Sequence, residues 1–66
     1  MEIGKKIQKL RKERGLTQEA LAEKIGVSAQ AVSKWETGAS DPSTSNLLTL
    51  AKLFNTTAEE LMREVQ

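Results

Sequence analysis

The chain contains no cysteine and no histidine among its 66 residues. Disulfide bonds, the common zinc sites and the chemistry that pairs a serine or cysteine nucleophile with histidine are therefore excluded. The sequence also has no apolar run approaching the length of a membrane span or a signal-peptide core. These absences remove most enzyme classes, and we expect a cytoplasmic protein with no cofactor, metal, membrane partner or small-molecule ligand.

The sequence also has little proline and a small net charge. Proline occurs once, at Pro42, in the stretch ASDPS, which has the composition of a surface loop. The formal net charge is +1, although positive charge is concentrated in residues 5–14 and negative charge near the end, at Glu59, Glu60 and Glu64. A basic helix is more often a solvated face than a ligand site, so charge alone does not identify a partner.

The middle of the chain, TQEALAEKIGVSAQAVSKWETG, has the signals of two short helices joined at a tight corner. Thr17 stands where a helix N-cap belongs, and Gly26 can end that helix in the left-handed conformation that glycine takes without steric cost. Ser28 can cap a second helix that runs to about Glu36. Residues 17–38 therefore predict a helix-turn-helix, a motif that presents its second helix to the DNA major groove.

Three further helices are predicted around this motif. Apolar residues recur at helical spacing over about residues 2–14 and 44–54. A capping box formed by Thr57 and Glu60 opens the last helix. Because there is no strand signal, the sequence predicts an all-α fold, a compact five-helix bundle that makes one domain of residues 1–66.

Arg11 has an unusual position on the first predicted helix. It flanks the apolar stripe, whereas Lys5, Lys9 and Lys12 lie on the opposite side. A guanidinium group beside a core needs an anionic partner, and Glu36 on the second helix of the motif is the candidate. We therefore predict an Arg11–Glu36 ion pair.

The apolar positions of the motif follow a known family pattern. With Gln18 as its first position, the apolar residues that the pattern requires are Leu21, Ile25, Val27, Val32 and Trp35. Ala22 supplies the small residue where the helices cross, and Gly26 the turn. Over about residues 3–64 the chain resembles the Cro and phage-repressor type of DNA-binding domain, the XRE family. The resemblance also rests on three sequence segments, LTQEALAEKIGVS, VSKWETG and LLTLAKLFN.

The resemblance implies a double-stranded DNA partner and a role for each matching position. The base-reading positions of the family fall on Ser28, Ala29, Gln30, Ser33 and Lys34. The expected phosphate contacts are Thr17, Gln18, Thr37, Ser40 and Ser43. A helix N-terminus such as that at Gln18 offers unpaired N–H donors to a phosphate. The resemblance also supports the Arg11–Glu36 pair beneath the recognition helix, at about residues 28–36.

The chemistry of the recognition positions suits base edges. Gln30 can pair with adenine N6 and N7, Lys34 can donate to guanine or to a phosphate, and the Ala29 methyl group can pack on a thymine methyl. The chain departs from the family pattern at Ala29, often a long polar or basic residue, and at Ala39, often lysine or arginine. We therefore expect modest affinity, a small salt dependence and a need for dimerisation.

Two functional hypotheses follow. The first is a sequence-specific transcriptional regulator, in the simplest case a repressor, that binds a palindromic operator as a homodimer. The candidate dimer residues are Leu53, Leu61, Met62 and Val65. Met62 and Val65 can equally complete the core. The alternative is an antitoxin or another protein-interaction module that uses the same domain. We do not expect an enzyme, because no paired carboxylates, metal-ligand cluster or activated nucleophile can be identified.

Overall fold

The computed structural model describes residues 3–63, and within that range all regular secondary structure is helical. The five helices are α1 (Ile3–Glu13), α2 (Gln18–Ile25), α3 (Ala29–Thr37), α4 (Thr44–Leu53) and α5 (Ala58–Met62). The predicted all-α fold with a helix-turn-helix is confirmed. Helix boundaries differ slightly from the prediction: α1 and α4 end one residue earlier, and α3 ends one residue later. Across these helices, none is long and apolar enough to cross a membrane.

Hydroxyl side chains begin four of the helices. Each side-chain oxygen accepts a backbone N–H three residues later, in the pairs Thr17–Ala20 at 3.0 Å, Ser28–Ala31 at 3.1 Å, Ser43–Asn46 at 3.2 Å and Thr57–Glu60 at 3.1 Å. The first four N–H groups of a helix lack intrahelical partners, so each of these bonds satisfies one of them and fixes where the helix starts. The predicted caps at Thr17 and Ser28 are confirmed.

The capping box predicted at the start of α5 forms only in part. The Thr57 hydroxyl accepts the Glu60 N–H, as expected. The Glu60 carboxylate, however, lies 3.8 Å from Lys6 Nζ and 3.4 Å from Arg63 Nη1. The reciprocal bond to Thr57 was therefore wrongly predicted, because a cation on α1 competes for the carboxylate.

The core draws buried apolar side chains from every helix. Its members are Ile3, Ile7, Leu21, Ala22, Val32, Trp35, Leu50, Ala51, Phe54 and Leu61. Trp35, one of the apolar positions of the motif, is only 4% exposed and lies in the core. Because the indole is enclosed, it cannot stack on a DNA base.

The burial pattern corrects part of the predicted dimer surface. Leu61 is 0% exposed, so it belongs to the core and its assignment to a subunit interface was wrong. On a helix as short as α5, spacing alone did not distinguish the buried side from its edge. Met62 is 42% exposed, and Leu53 is half-buried against the core. Val65 lies outside the described residues.

The crossing of α1 and α3 depends on Gly4, a residue for which the sequence predicted no role. Gly4 is buried. A Cβ atom there would collide with the Trp35 carbonyl oxygen and would lie 3.1 Å from Glu36 Cα. The absence of a side chain therefore lets α1 approach the backbone of α3.

Arg14, just beyond α1, closes the C-terminal end of α4. Its Nη1 donates to the Leu53 carbonyl at 3.2 Å and its Nη2 to the Phe54 carbonyl at 2.7 Å. The guanidinium carbon also lies 5.8 Å from the centre of the Phe54 ring. These carbonyls lie at a helix C-terminus, where positive charge is favourable. The chain then turns through Asn55, whose φ of 55° is left-handed.

Candidate nucleic-acid interface

The corner between α2 and α3 is closed by backbone hydrogen bonds at Gly26. Gly26 has a φ of 78°, and its N–H donates to the Ala22 carbonyl at 2.8 Å. The Val27 N–H donates to the same carbonyl at 3.0 Å. Any residue with a Cβ is strained at such a φ, so glycine suits this position. Ser28 then caps α3 directly, which fixes the direction of the second helix relative to the first.

The outer side of α3 carries two long polar side chains, Gln30 and Lys34. Gln30 and Lys34 are both exposed, and because they are four residues apart they lie on the same side of the helix. Val32 and Trp35, on the opposite side, are buried in the core. The side of α3 that bears Gln30 and Lys34 is therefore open to a large ligand.

The other three predicted base-reading residues differ in accessibility. Ser28 is exposed, although its oxygen already accepts the Ala31 N–H. Ala29 and Ser33 are only half-buried, and Ala29 packs against the core. A ligand can reach both side chains, but the surface they offer is smaller than that of Gln30.

Four of the five predicted phosphate-binding residues lie at helix ends, and Ser40 lies in a loop. Thr17 and Ser43 are exposed N-caps, whose hydroxyl oxygens are occupied by cap bonds while their O–H groups remain possible donors. Ser40 is exposed in the loop after α3. Thr37 is also exposed, but its hydroxyl donates to the Lys34 carbonyl at 3.2 Å. Thr37 must break that bond before it can donate to a phosphate.

The predicted Arg11–Glu36 ion pair is present and has bidentate geometry. Arg11 Nε donates to Glu36 Oε2 at 2.7 Å, and Nη2 donates to Oε1 at 3.0 Å. The two side chains are 10% and 1% exposed, respectively. Arg11 Nη1 also donates to the Leu16 carbonyl at 2.8 Å. One guanidinium therefore joins α1 to α3 and to the segment leading into α2.

The environment of the pair keeps both groups ionised. Burial alone raises the pKa of Glu36, but hydrogen bonds from Arg11 and Gln18, together with the Arg11 charge, outweigh it and hold the pKa below its usual value. The pKa of Arg11 is raised, chiefly by its hydrogen bond to Glu36. At neutral pH the positive charge of Arg11 and the negative charge of Glu36 therefore cancel where α1 packs against α3.

Gln18 takes part in this buried network, a contact that the sequence did not predict. Its Nε2 donates to Glu36 Oε1 at 3.0 Å. Gln18 is half-buried and is the first residue of α2. The Gln18 side chain, which was predicted to contact a DNA phosphate, is thus held by a hydrogen bond to a carboxylate on α3. Spacing within the motif could not reveal this bond, because it depends on the angle between the two helices.

Comparison with known proteins agrees with this geometry. The family model described as helix-turn-helix matches residues 7–61. The chain is 45% identical over 62 residues to the HTH-type transcriptional activator BcrR of Enterococcus faecalis, an alignment covering 94% of this chain and 30% of BcrR. The P22 c2 repressor in complex with a synthetic operator superposes with a TM-score of 0.89 at 33% identity and 96% coverage of both chains. The restriction-modification controller protein C.AhdI from Aeromonas hydrophila gives a TM-score of 0.84 at 33% identity and 92% coverage of both chains.

The chain belongs to the XRE-type helix-turn-helix family. That family consists of DNA-binding transcription regulators rather than of enzymes. It spans 30% of the length of BcrR and 28% of the length of repressor protein C2 of Salmonella phage P22.

Proposed function

We propose that this domain binds a palindromic DNA operator as a homodimer and represses transcription, with α3 lying in the major groove. The observation that carries the proposal is the exposure of Gln30 and Lys34 on one side of a helix whose other side is buried. A helix presented in this way fits the width of the major groove of B-form DNA. Bound there, the domain would repress by excluding RNA polymerase from the same DNA.

The recognition residues make different kinds of contact with the bases. Gln30 offers the donor and acceptor that match the N6 and N7 edge of adenine, and Lys34 donates to guanine or to a phosphate. Ala29 contributes a methyl group for contact with thymine. Ser28 and Ser33 make shorter polar contacts. Each well-formed base contact contributes about 1–3 kcal/mol of discrimination against the wrong base.

Phosphates on either side of the groove would be bound by helix ends. Thr17 and Gln18 lie at the N-terminus of α2, and Ser43 lies at the N-terminus of α4. Unpaired N–H groups there favour an anion. Ser40 can donate from the intervening loop, and Thr37 can do so once its bond to the Lys34 carbonyl opens.

The homodimer would place two copies of α3 in successive major grooves, about 34 Å apart on one side of the duplex. Met62 and Leu53 are the described apolar residues that we assign to the subunit contact, because Met62 is exposed and Leu53 is incompletely covered. The proposed ligand is chromosomal DNA, so we place the domain in the cytoplasm. Sedimentation that found only monomers, both free at tens of micromolar and on the operator, would contradict the dimer.

The experiment that tests this function is a selection of genomic DNA fragments at low salt. The unmodified domain is compared with Gln30→Ala/Lys34→Ala and with Lys52→Ala, a control that removes a similar exposed charge from α4. We expect the unmodified domain and the control to enrich a palindromic motif, and the double variant to lose it while keeping its helical circular dichroism. A parent domain that enriches nothing, or a double variant that enriches the same motif, would refute the proposal.

A further inference from the structure

The Glu36 carboxylate lies at the meeting point of three segments of the fold. Its Oε2 accepts from Arg11 Nε, and its Oε1 accepts from both Arg11 Nη2 and Gln18 Nε2. The Gln8 side chain lies against the same carboxylate. Glu36 therefore joins the recognition helix to α1 and to the first residue of α2. An ion pair serving only to hold α1 against α3 would not require the bond to Gln18.

The bond from Gln18 fixes which end of its carboxamide turns inward. A carboxylate can only accept, so the NH₂ end of the amide must face Glu36. That NH₂ group has two hydrogens, and Glu36 Oε1 binds one of them. The second hydrogen remains a donor at the N-terminus of α2. Without Glu36, the half-buried Gln18 amide could rotate and present its oxygen to an incoming phosphate. That oxygen would repel the phosphate, because both carry negative charge density.

Arg11 makes this arrangement compatible with DNA. An unpaired carboxylate so close to the duplex would repel phosphates, but the bidentate contact with Arg11 balances its charge. The Glu36 side chain is also almost fully covered, so it presents no anionic surface. The hydrogen-bonding capacity of Glu36 is thus available to Gln18 without an electrostatic penalty toward the DNA.

We propose that Glu36 is a positioning residue for DNA binding, which holds the Gln18 amide so that its second N–H donates to a DNA phosphate. This inference rests on the proposed function, because it requires the phosphate contact of Gln18. It adds that this contact depends on a residue that does not itself touch DNA. Arg11 acts in the same unit as the counterion of Glu36.

The test measures operator affinity in a double-mutant cycle. Removing Glu36 alone would leave Arg11 buried and unpaired, so the pair is replaced together by Arg11→Met/Glu36→Leu, which removes the acceptor and retains apolar volume. This variant, Gln18→Ala and the combined triple variant are titrated against the operator selected above. Gln8→Ala is the matched control, since it removes another amide next to the same carboxylate, on α1.

We expect Gln18→Ala to weaken binding about tenfold, as the loss of a hydrogen bond to a charged phosphate predicts. Arg11→Met/Glu36→Leu should weaken binding by a similar factor, and the triple variant should be no weaker than either. Gln8→Ala should bind like the unmodified domain. Independent losses that multiply in the triple variant would overturn the proposal, as would full affinity in either Gln18→Ala or Arg11→Met/Glu36→Leu.

A second measurement covers the possibility that the paired replacement does not fold. In the unmodified domain, nuclear magnetic resonance follows the Gln18 side-chain NH₂ group, free and bound to the operator. We expect one of its hydrogens to stay protected from exchange in both states and the other to become protected only on DNA. A bound state in which Gln18 has released Glu36 would overturn the proposal.

Failure of this proposal can be distinguished from failure of the proposed function. If the domain selects a motif and loses it in Gln30→Ala/Lys34→Ala, but Gln18→Ala binds normally, then α3 reads DNA and the role of Glu36 is wrong. If the domain selects no motif at all, both are wrong.

Discussion

Substituting Gly4 by alanine tests whether the close crossing of α1 and α3 limits the stability of the domain. Helix propensity predicts a gain, since alanine is favoured over glycine inside a helix by about 1 kcal/mol. The structure predicts the opposite sign. The new Cβ would meet the Trp35 carbonyl oxygen and the backbone of Glu36, neither of which can move like the end of a flexible side chain.

Overpacking of a well-packed site costs about 1–3 kcal/mol, and more when the obstacle is rigid. Because the obstacle here is backbone, we place the cost in the upper part of that range, at about 2–3 kcal/mol. Subtracting about 1 kcal/mol of helix propensity, we expect Gly4→Ala to lower the free energy of unfolding by about 1–2 kcal/mol. For a domain of this size that corresponds to a fall in Tm of about 5–15 °C. Urea and thermal unfolding, followed by circular dichroism, give both quantities.

The matched control is Lys9→Ala, an alanine substitution at an exposed position of the same helix. It should change the free energy of unfolding by less than about 0.5 kcal/mol. If Gly4→Ala proved as stable as the unmodified domain, or more stable, the claim that α1 needs a glycine against α3 would be refuted.

Three further predictions concern the ion pair and a helix cap. Arg11→Met alone should lower the free energy of unfolding by about 3–5 kcal/mol, because Glu36 is left buried without its counterion. Arg11→Met/Glu36→Leu should lower it much less. Equal losses for the two variants in urea titrations would contradict this prediction. The lowered pKa of Glu36 means that its stabilisation is present above the pKa of the unfolded chain and is lost as the pH falls through the folded value. As the pH falls, the free energy of unfolding should therefore decrease more steeply in the unmodified domain than in Arg11→Met/Glu36→Leu. Parallel curves of unfolding free energy against pH would show that Glu36 does not cause the acid sensitivity. Ser28→Ala should cost about 1 kcal/mol through the lost bond to the Ala31 N–H, whereas Ser28→Gly should cost only a few tenths of that.

Local signals predicted the helix ends well because each cap is a short-range interaction. Thr17 and Ser28 accept N–H groups three residues ahead, and Gly26 needs only its own φ. The burial of Trp35 followed from its place in the apolar pattern of the motif. The Arg11–Glu36 pair could be predicted because a charge beside an apolar stripe requires a partner, and the resemblance pointed to the same residue.

The features that the sequence did not predict depend on how distant segments pack. The role of Gly4 arises from the approach of α1 to α3, and Gln18 reaches Glu36 only because α2 and α3 cross at a particular angle. Arg14 binds carbonyls 39 and 40 residues away, and a carbonyl carries no residue-specific signal. Leu61 was misassigned because α5 is too short for its apolar pattern to define one side.

The contacts of Arg14 with α4 have a consequence for local opening of the domain. The Leu53 and Phe54 carbonyls are held by a guanidinium at the end of α1, and Glu60 of α5 lies within 3.8 Å of Lys6 on the same helix. The last two helices are thus tied to α1 by polar contacts at the protein surface as well as through the core. Such contacts weaken in concentrated salt, whereas apolar burial does not. Amide hydrogens of α4 and α5 should therefore exchange faster as salt is raised, while those of α2 and α3 change little.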